Sequence, residues 1–230
     1  MKKLSKRLII LKSLIKKDAY SISDAIALVK NFQTAKFSES VEAHISLNLN
    51  PKYPNQQLRA SFILPNGTGK ELKIAALTQN EDVQSALDFG ATIAGFENLL
   101  DDISKGIINF DVLITTPQLM PKLAKFGKIL GPKSLMPSPK AGTVTTNLKE
   151  TIQEFKKGKI EYRCDKTGIV HLIFGKTSFS QEFLEENLKA IYDSIEKNKP
   201  SNLKGKYFDS FHICTTMSPS IRLDLTSFKQ

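Results

Sequence analysis

Residues 41–49, VEAHISLNL, alternate apolar and polar positions without a break: Val41, Ala43, Ile45, Leu47 and Leu49 stand against Glu42, His44, Ser46 and Asn48. A period of two suits a strand with one covered face and one open face. A second alternating segment, LRASFIL, follows and ends at the Pro65-Asn66-Gly67 turn signal. From Lys70 the style changes. Short apolar runs, KIAAL and DVLIT, are separated by stretches of helical spacing near 80–89, 97–105 and 117–125, which predicts a mostly parallel sheet covered by helices. Alternation then returns in IEYRC and IVHLIF, read as a hairpin across Asp165-Lys166-Thr167-Gly168, and again in 206–214 and 220–225.

Three helices frame these strands. Ser21 and Asp24 form a capping box ahead of Ile22, Ile26, Val29 and Phe32, and Asn147 with Glu150 caps a helix that ends at Gly158. The third places Phe183, Leu184, Leu188, Ile191 and Ile195 on one face and runs up to Pro200. The two flanks thus share one style and the centre another. The simplest architecture is an α/β domain, residues 67–159, inserted into an α+β domain made of residues 1–66 plus 160–230. Gly67 and Gly69 at one crossing and Gly158 at the other would act as hinges, because glycine eases backbone rotation and modest inter-domain contact makes motion the default.

Lys and Arg number 33 against 23 Asp and Glu, a formal net charge of +10. Such an excess suits a polyanion or a membrane surface, nucleic acid first. It is mostly lysine, since arginine occurs only at Arg7, Arg59, Arg163 and Arg222, and lysine suits phosphates better than bidentate base reading. Within the centre, residues 81–111 carry Glu81, Asp82, Asp88, Glu97, Asp101, Asp102 and Asp111 against Lys105, a solvated acidic face, whereas 120–140 carries five lysines and no acid. No apolar run approaches the roughly 18 residues that span a bilayer. The basic N-terminal stretch KKLSKRLIILKSLIKK competes as an import presequence but is read as an amphipathic helix of the mature chain.

Enzyme chemistry finds little support. PNGTGKE lacks the glycine and the Ser or Thr that a phosphate-binding loop requires at Leu64 and Glu71. His44, His171 and His212 sit in strand patterns without a nucleophile or paired carboxylate at recognisable spacing. Those histidines with Cys164 and Cys214 build neither a disulfide framework nor a spaced zinc motif, so no cofactor or metal is expected and a reducing compartment is. The segment 122–140, KLAKFGKILGPKSLMPSPK, is different: prolines and glycines restrain a loop that carries lysines among Ile129, Leu130, Leu135 and Met136. Chemistry alone leaves open whether it meets phosphates or only packs on its own domain.

LGPKSLMPSPKAGTV closely resembles the signature of the ribosomal protein L-one family, which forms the mobile stalk of the large subunit. Similar matches run along the whole chain: KLSKR, AIALVK, TAKFSESVE, LPNGTGK, NFDVLITTP, YRCDKTGIVH and TTMSPS, with NPKYPNQQLRA resembling the cyanobacterial and plastid branch. The resemblance implies no catalysis. It implies an outer α+β domain with an antiparallel sheet, a doubly wound, Rossmann-like insert, and a terminal domain that grips large-subunit ribosomal RNA near the exit site for transfer RNA. Its rRNA surface maps onto Lys36, Phe37, Ser40, Glu42, Arg163, Asp165, Lys166, His171, Thr215, Thr216 and Met217. Lys128, Lys133 and Lys140 would face transfer RNA.

In this reading Lys36, Arg163 and Lys166 contact phosphates, Ser40, Thr215 and Thr216 meet ribose and phosphate oxygens, and Phe37 and Met217 offer apolar surface. Bacterial relatives can also bind their own messenger RNA as repressors, which is the alternative role for this chain. The family usually places glycine where this chain has Ser134 and Ser218, and asparagine where it has Ser138. Serine tolerates positive φ poorly, so left-handed turns there would have to relax. The plastid-like motif, the AT-rich character of the composition and a start without an added presequence point to a plastid-encoded chain, with a bacterial cytoplasm second.

Overall fold

The computed structural model describes residues 5–79, 82–201, 203 and 205–228. In chain order its elements are α1 (Lys6–Ser13), α2 (Ile22–Asn31), β1 (Ser40–Leu47), β2 (Arg59–Ile63), β3 (Ile74–Leu77), α3 (Val83–Asp88), β4 (Ile93–Gly95), α4 (Glu97–Ser104), β5 (Val112–Thr115), α5 (Met120–Ala124), α6 (Gly127–Leu130), α7 (Leu148–Lys156), β6 (Lys159–Arg163), β7 (Ile169–Lys176), α8 (Gln181–Lys197), β8 (Phe208–Thr215) and β9 (Ile221–Arg222). The chain divides into two compact units, Met1–Gly69 with Tyr162–Gln230, and Lys70–Glu161.

The first unit is built on an antiparallel sheet in the order β7-β1-β8-β9. Val41, Ala43, Ile45 and Leu47 of β1 are all at most 3% exposed, and they meet Val170 and Leu172 of β7 and Phe211 and Ile213 of β8 in register on the same face. Helices α2 and α8 cover that face. Ile22, Ile26, Val29 and Phe32 of the α2 segment and Leu184, Leu188, Ile191 and Ile195 of α8 are buried. Each such side chain contributes about 1.5–3 kcal/mol relative to exposure. Ser21 caps α2 by accepting from the Asp24 N–H at 3.3 Å, and Ser180 caps α8 through the Phe183 N–H. The opposite face of the sheet carries the polar residues of each strand.

Several expectations need correction. Phe183 is 47% exposed; it lies one position before the stripe of Leu184, Leu188, Ile191 and Ile195, beside the buried arc of the helix and not within it. Alternation in LRASFIL does not give a half-buried strand: the burial of β2 is intermediate throughout its middle, because β2 pairs only with β6 in a two-stranded sheet. IEYRC and IVHLIF turn back on each other with Asp165 N–H donating to Ile169 at 2.8 Å, yet they share only the Cys164–Val170 bridge. Their strands then part, β6 to β2 and β7 to β1. The N-terminal helix α1 is shorter than the basic stretch suggested. It buries only Leu11 and leaves Ile9, Ile10 and Leu14 exposed; residues 1–4 lie outside the described residues.

The second unit holds a parallel sheet in the order β4-β3-β5. β3 is buried on both faces, the mark of a sheet between two layers. Ala75 and Leu77 pack toward α4, α5 and α6 through Leu99, Ile103, Leu119, Leu123 and Leu130, while Ile74 and Ala76 pack toward α3 and α7 through Ala86, Leu148, Ile152 and Phe155. Sequence periodicity missed β4, which is three residues long. Asp111 leaves the expected acidic face: its carboxylate takes the Lys70 ammonium at 2.6 Å and the Lys73 N–H at 3.1 Å, and the Lys70 hydrogen bond holds its carboxyl below the usual range. Glu81 lies outside the described residues.

Candidate nucleic-acid interface

Alternation on β1 sends Ser40, Glu42, His44 and Ser46 to the side of the sheet away from α2 and α8, each half-buried. β8 adds His212 and Cys214, and β7 adds His171 and the exposed Ile173. Register aligns the three histidines across the sheet, with His44 opposite both His171 and His212. The His44 and His171 Nδ1 atoms are 2.9 Å apart, so one carries the bridging proton. Burial, then His171, pushes His44 below the ordinary imidazole value against the pull of Glu42, while burial, then Arg222 and His44, pushes His212 down against Asp209. The face is open, and its histidine row is polar.

Its edge is formed where β1 begins and β8 ends. The Ser40 N–H donates to Thr216 Oγ1 at 3.2 Å and the Thr216 N–H to the Ser40 carbonyl at 3.1 Å. Met217, 46% exposed, is held from two sides: its N–H donates to the Glu39 carboxylate, and its carbonyl accepts from the Arg7 guanidinium at 2.8 Å. Arg7 also donates to Thr34 Oγ1 at 3.1 Å, just before the loop that exposes Lys36 and Phe37. Sequence reasoning passed over Arg7 and Glu39. The only hint was an acid inside FSESVE, since the partner of each lies nearly the whole chain away.

At the other edge the DKTG turn presents Lys166, and Arg163 at the end of β6 is exposed as well. Asp165 is committed to that turn: Oδ1 accepts from the Thr167 N–H and the Ile169 N–H, both at 2.8 Å, and Thr167 Oγ1 is equally close. Burial would raise its carboxyl, but those hydrogen bonds and His171 hold it low. Asp165 therefore shapes the loop, and Lys166 is what the loop offers. Gly168 closes it at φ 89°. Thr215 requires a correction. It is 1% exposed on the helix-covered face of β8, because an outward Cys214 and Thr216 force the residue between them inward, so its hydroxyl is withdrawn from the surface.

In the other unit Lys128, Lys133 and Lys140 are exposed, while Leu130 is buried and Leu135 and Met136 pack onto the same core. The loop is thus both anchored and cationic on its outside. Ser134 adopts φ 58°, the left-handed turn that glycine would favour, whereas Ser138 is extended at φ −144°. Ser218 has no positive φ among these and instead caps locally, its Oγ accepting from the Thr215 N–H at 2.8 Å. Relaxation is needed at neither Ser138 nor Ser218; Ser134 keeps the strained geometry.

Gly67, Gly69 and Gly158 all have positive φ, at 62°, 71° and 104°. Gly67 is held by Asn187, fully buried, whose Nδ2 donates to the Gly67 and Phe174 carbonyls while Oδ1 accepts from the Asn66 N–H. The Asn66-Gly67 part of PNGTGKE is therefore fastened to α8.

An open sheet face with exposed lysines at its ends in one unit, and a restrained cationic loop in the other, each suit a polyanionic partner. The model of the "Ribosomal protein L1p/L10e family" matches residues 29–219. Similar chains include a large ribosomal subunit protein uL1c of Porphyra purpurea, 55% identical with 99% of each chain covered, and one of Rhodomonas salina, 53% identical over 100% of this chain and 98% of that one. A large ribosomal subunit protein uL1 of Prochlorococcus marinus (strain NATL1A) is 54% identical over 100% of this chain and 97% of its own. The chain belongs to the ribosomal protein L1p/L10e family, and it is a structural ribosomal protein and not an enzyme.

Proposed function

We propose that this protein is built into the large subunit of plastid ribosomes, where its terminal unit grips ribosomal RNA. This reading is supported by the solvent-accessible placement, in one unit, of Lys36 and Phe37, of Ser40, Thr216 and Met217, of Glu42 and His171 on paired strands, and of Arg163 and Lys166. Cations at its two ends would neutralise phosphates, and hydroxyls and N–H groups between them would meet ribose and phosphate oxygens. Backbone hydrogen bonds fix this surface before RNA arrives, which lowers the ordering cost of binding.

The second unit is read as a doubly wound, Rossmann-like insert spanning about residues 67–159, swinging at crossings near Gly69 and Gly158. Lys128, Lys133 and Lys140 would then face deacylated transfer RNA leaving the exit site. The test is binding of the whole protein to a large-subunit rRNA fragment. Lys36→Ala with Lys166→Ala should weaken it strongly, and Lys128→Ala, Lys133→Ala and Lys140→Ala together should leave it nearly unchanged. The reverse pattern would move the anchor to the insert. Co-sedimentation with large subunits, released by high salt, is the companion measurement.

A further inference from the structure

Glu42 and Cys214 are directly opposed partners on β1 and β8, and His44 follows Glu42 on the same face. His44 Nε2 lies 3.3 Å from Cys214 Sγ and 3.8 Å from Glu42 Oε2, and the three donor atoms all fall within 4.8 Å of one another. Tetrahedral zinc bonded to sulfur, nitrogen and oxygen at ordinary lengths separates its donors by roughly 3.4–3.6 Å. The cluster is therefore already close to ligand spacing. It is also half-buried on an open face, so an ion can enter.

The imidazole is presented for coordination. When His44 Nδ1 carries the bridging proton to His171, its Nε2 keeps a bare lone pair within reach of thiol and carboxylate. In that tautomer pair His171 Nε2 holds the other hydrogen, 3.7 Å from Asp165 Oδ2. A ligand histidine whose second nitrogen is fixed by an outer partner, itself beside a carboxylate, is the usual arrangement around protein-bound zinc.

We propose that Glu42, His44 and Cys214 bind one Zn²⁺ ion, with His171 as the outer partner that sets the His44 tautomer and a water in the fourth position. The Cys214 S–H bond breaks as the S–Zn bond forms, and its proton leaves to buffer; His44 and Glu42 donate lone pairs without losing a proton. Because the thiol gives up its proton to the solvent, uptake of the ion strengthens as pH rises. Other titratable or charged groups facing the cluster are His171, His212, Asp165 and Arg222. Glu42 and His171 belong also to the surface read as RNA-facing, so the metal site is tested on the protein without RNA.

The experiment uses the full-length protein without RNA. Co²⁺, standing in for zinc, should give a sulfur-to-metal charge-transfer band at one equivalent. Cys214→Ser should abolish the band, and Cys164→Ser should keep it. His171→Phe should retain the band but weaken binding roughly 10- to 100-fold. Separately, Zn²⁺ should block alkylation of Cys214 while Cys164 remains reactive, each read by peptide mass; this readout needs no variant and survives any folding defect in one. Absence of the band, its persistence in Cys214→Ser, or alkylation of Cys214 unchanged by Zn²⁺ would overturn the site.

Discussion

Met217 donates its backbone N–H to the carboxylate of Glu39 at 3.0 Å, although the two lie 178 positions apart. Glu39 is 0% exposed, and its Oε1 has no hydrogen-bond partner. A buried carboxyl is costly to maintain, so its retention marks the contact it makes. Glu39→Ala leaves the Met217 N–H unsatisfied and opens a cavity beneath the loop. The expected loss is about 1–3 kcal/mol of stability, read from the shift of the urea midpoint, with weaker RNA binding although Lys36 and Lys166 are unchanged. Glu39→Gln, which keeps an acceptor, should recover most of both.

Gly168 sits where a side chain cannot. At φ 89°, a Cβ would stand 2.9 Å from the Leu47 carbonyl oxygen and 3.1 Å from that of Leu49. Both obstacles are backbone and cannot swing away. Gly168→Ala should cost roughly 2–3 kcal/mol, measured by chemical denaturation, and should disturb the presentation of Lys166. An unchanged midpoint would mean that the turn repacks freely.

Acidification should destabilise the terminal unit. His44 and His212 both titrate lower in the fold than in the unfolded chain. Their contribution is fully present above the unfolded value, about 6.5, and is lost as pH falls below it, since the unfolded chain then binds more protons. Thermal melts should show Tm falling as pH drops through about 6.5, and His44→Gln should flatten that dependence. A steeper fall in the variant would contradict the sign argued here.

RNA binding should weaken with salt. If roughly five phosphates are neutralised, the log–log slope of affinity against salt is about −4. Lys36→Ala should reduce its magnitude by about one. Lys133→Ala, on the other unit, should leave it unaltered. Filter binding across a salt series measures all three.

Local patterns carried well wherever one force dominated. Val41 to Leu47 alternate because a single face is covered, and Ser21 and Asn147 cap helices through contacts within three residues. The pattern misled where pairing overrode it. LRASFIL alternates, yet β2 has one partner strand and is only partly buried through its middle. Thr215 looks like a surface hydroxyl in TTMSPS, but strand parity turns it inward.

Read alone, the residues determined most of the chain's helices and principal strands and its division into two styles, and their charge pointed to a polyanionic partner. Its motifs also pointed to its family. Those properties arise from local spacing, composition and short stretches of sequence. Only the tertiary structure brought Glu39 beneath Met217, Arg7 onto its carbonyl, and His44 between His171 and Cys214. Each partnership depends on which strand lies beside β1 and in what register, and that choice is made by burying apolar faces far apart in sequence, with the polar contacts following as a consequence.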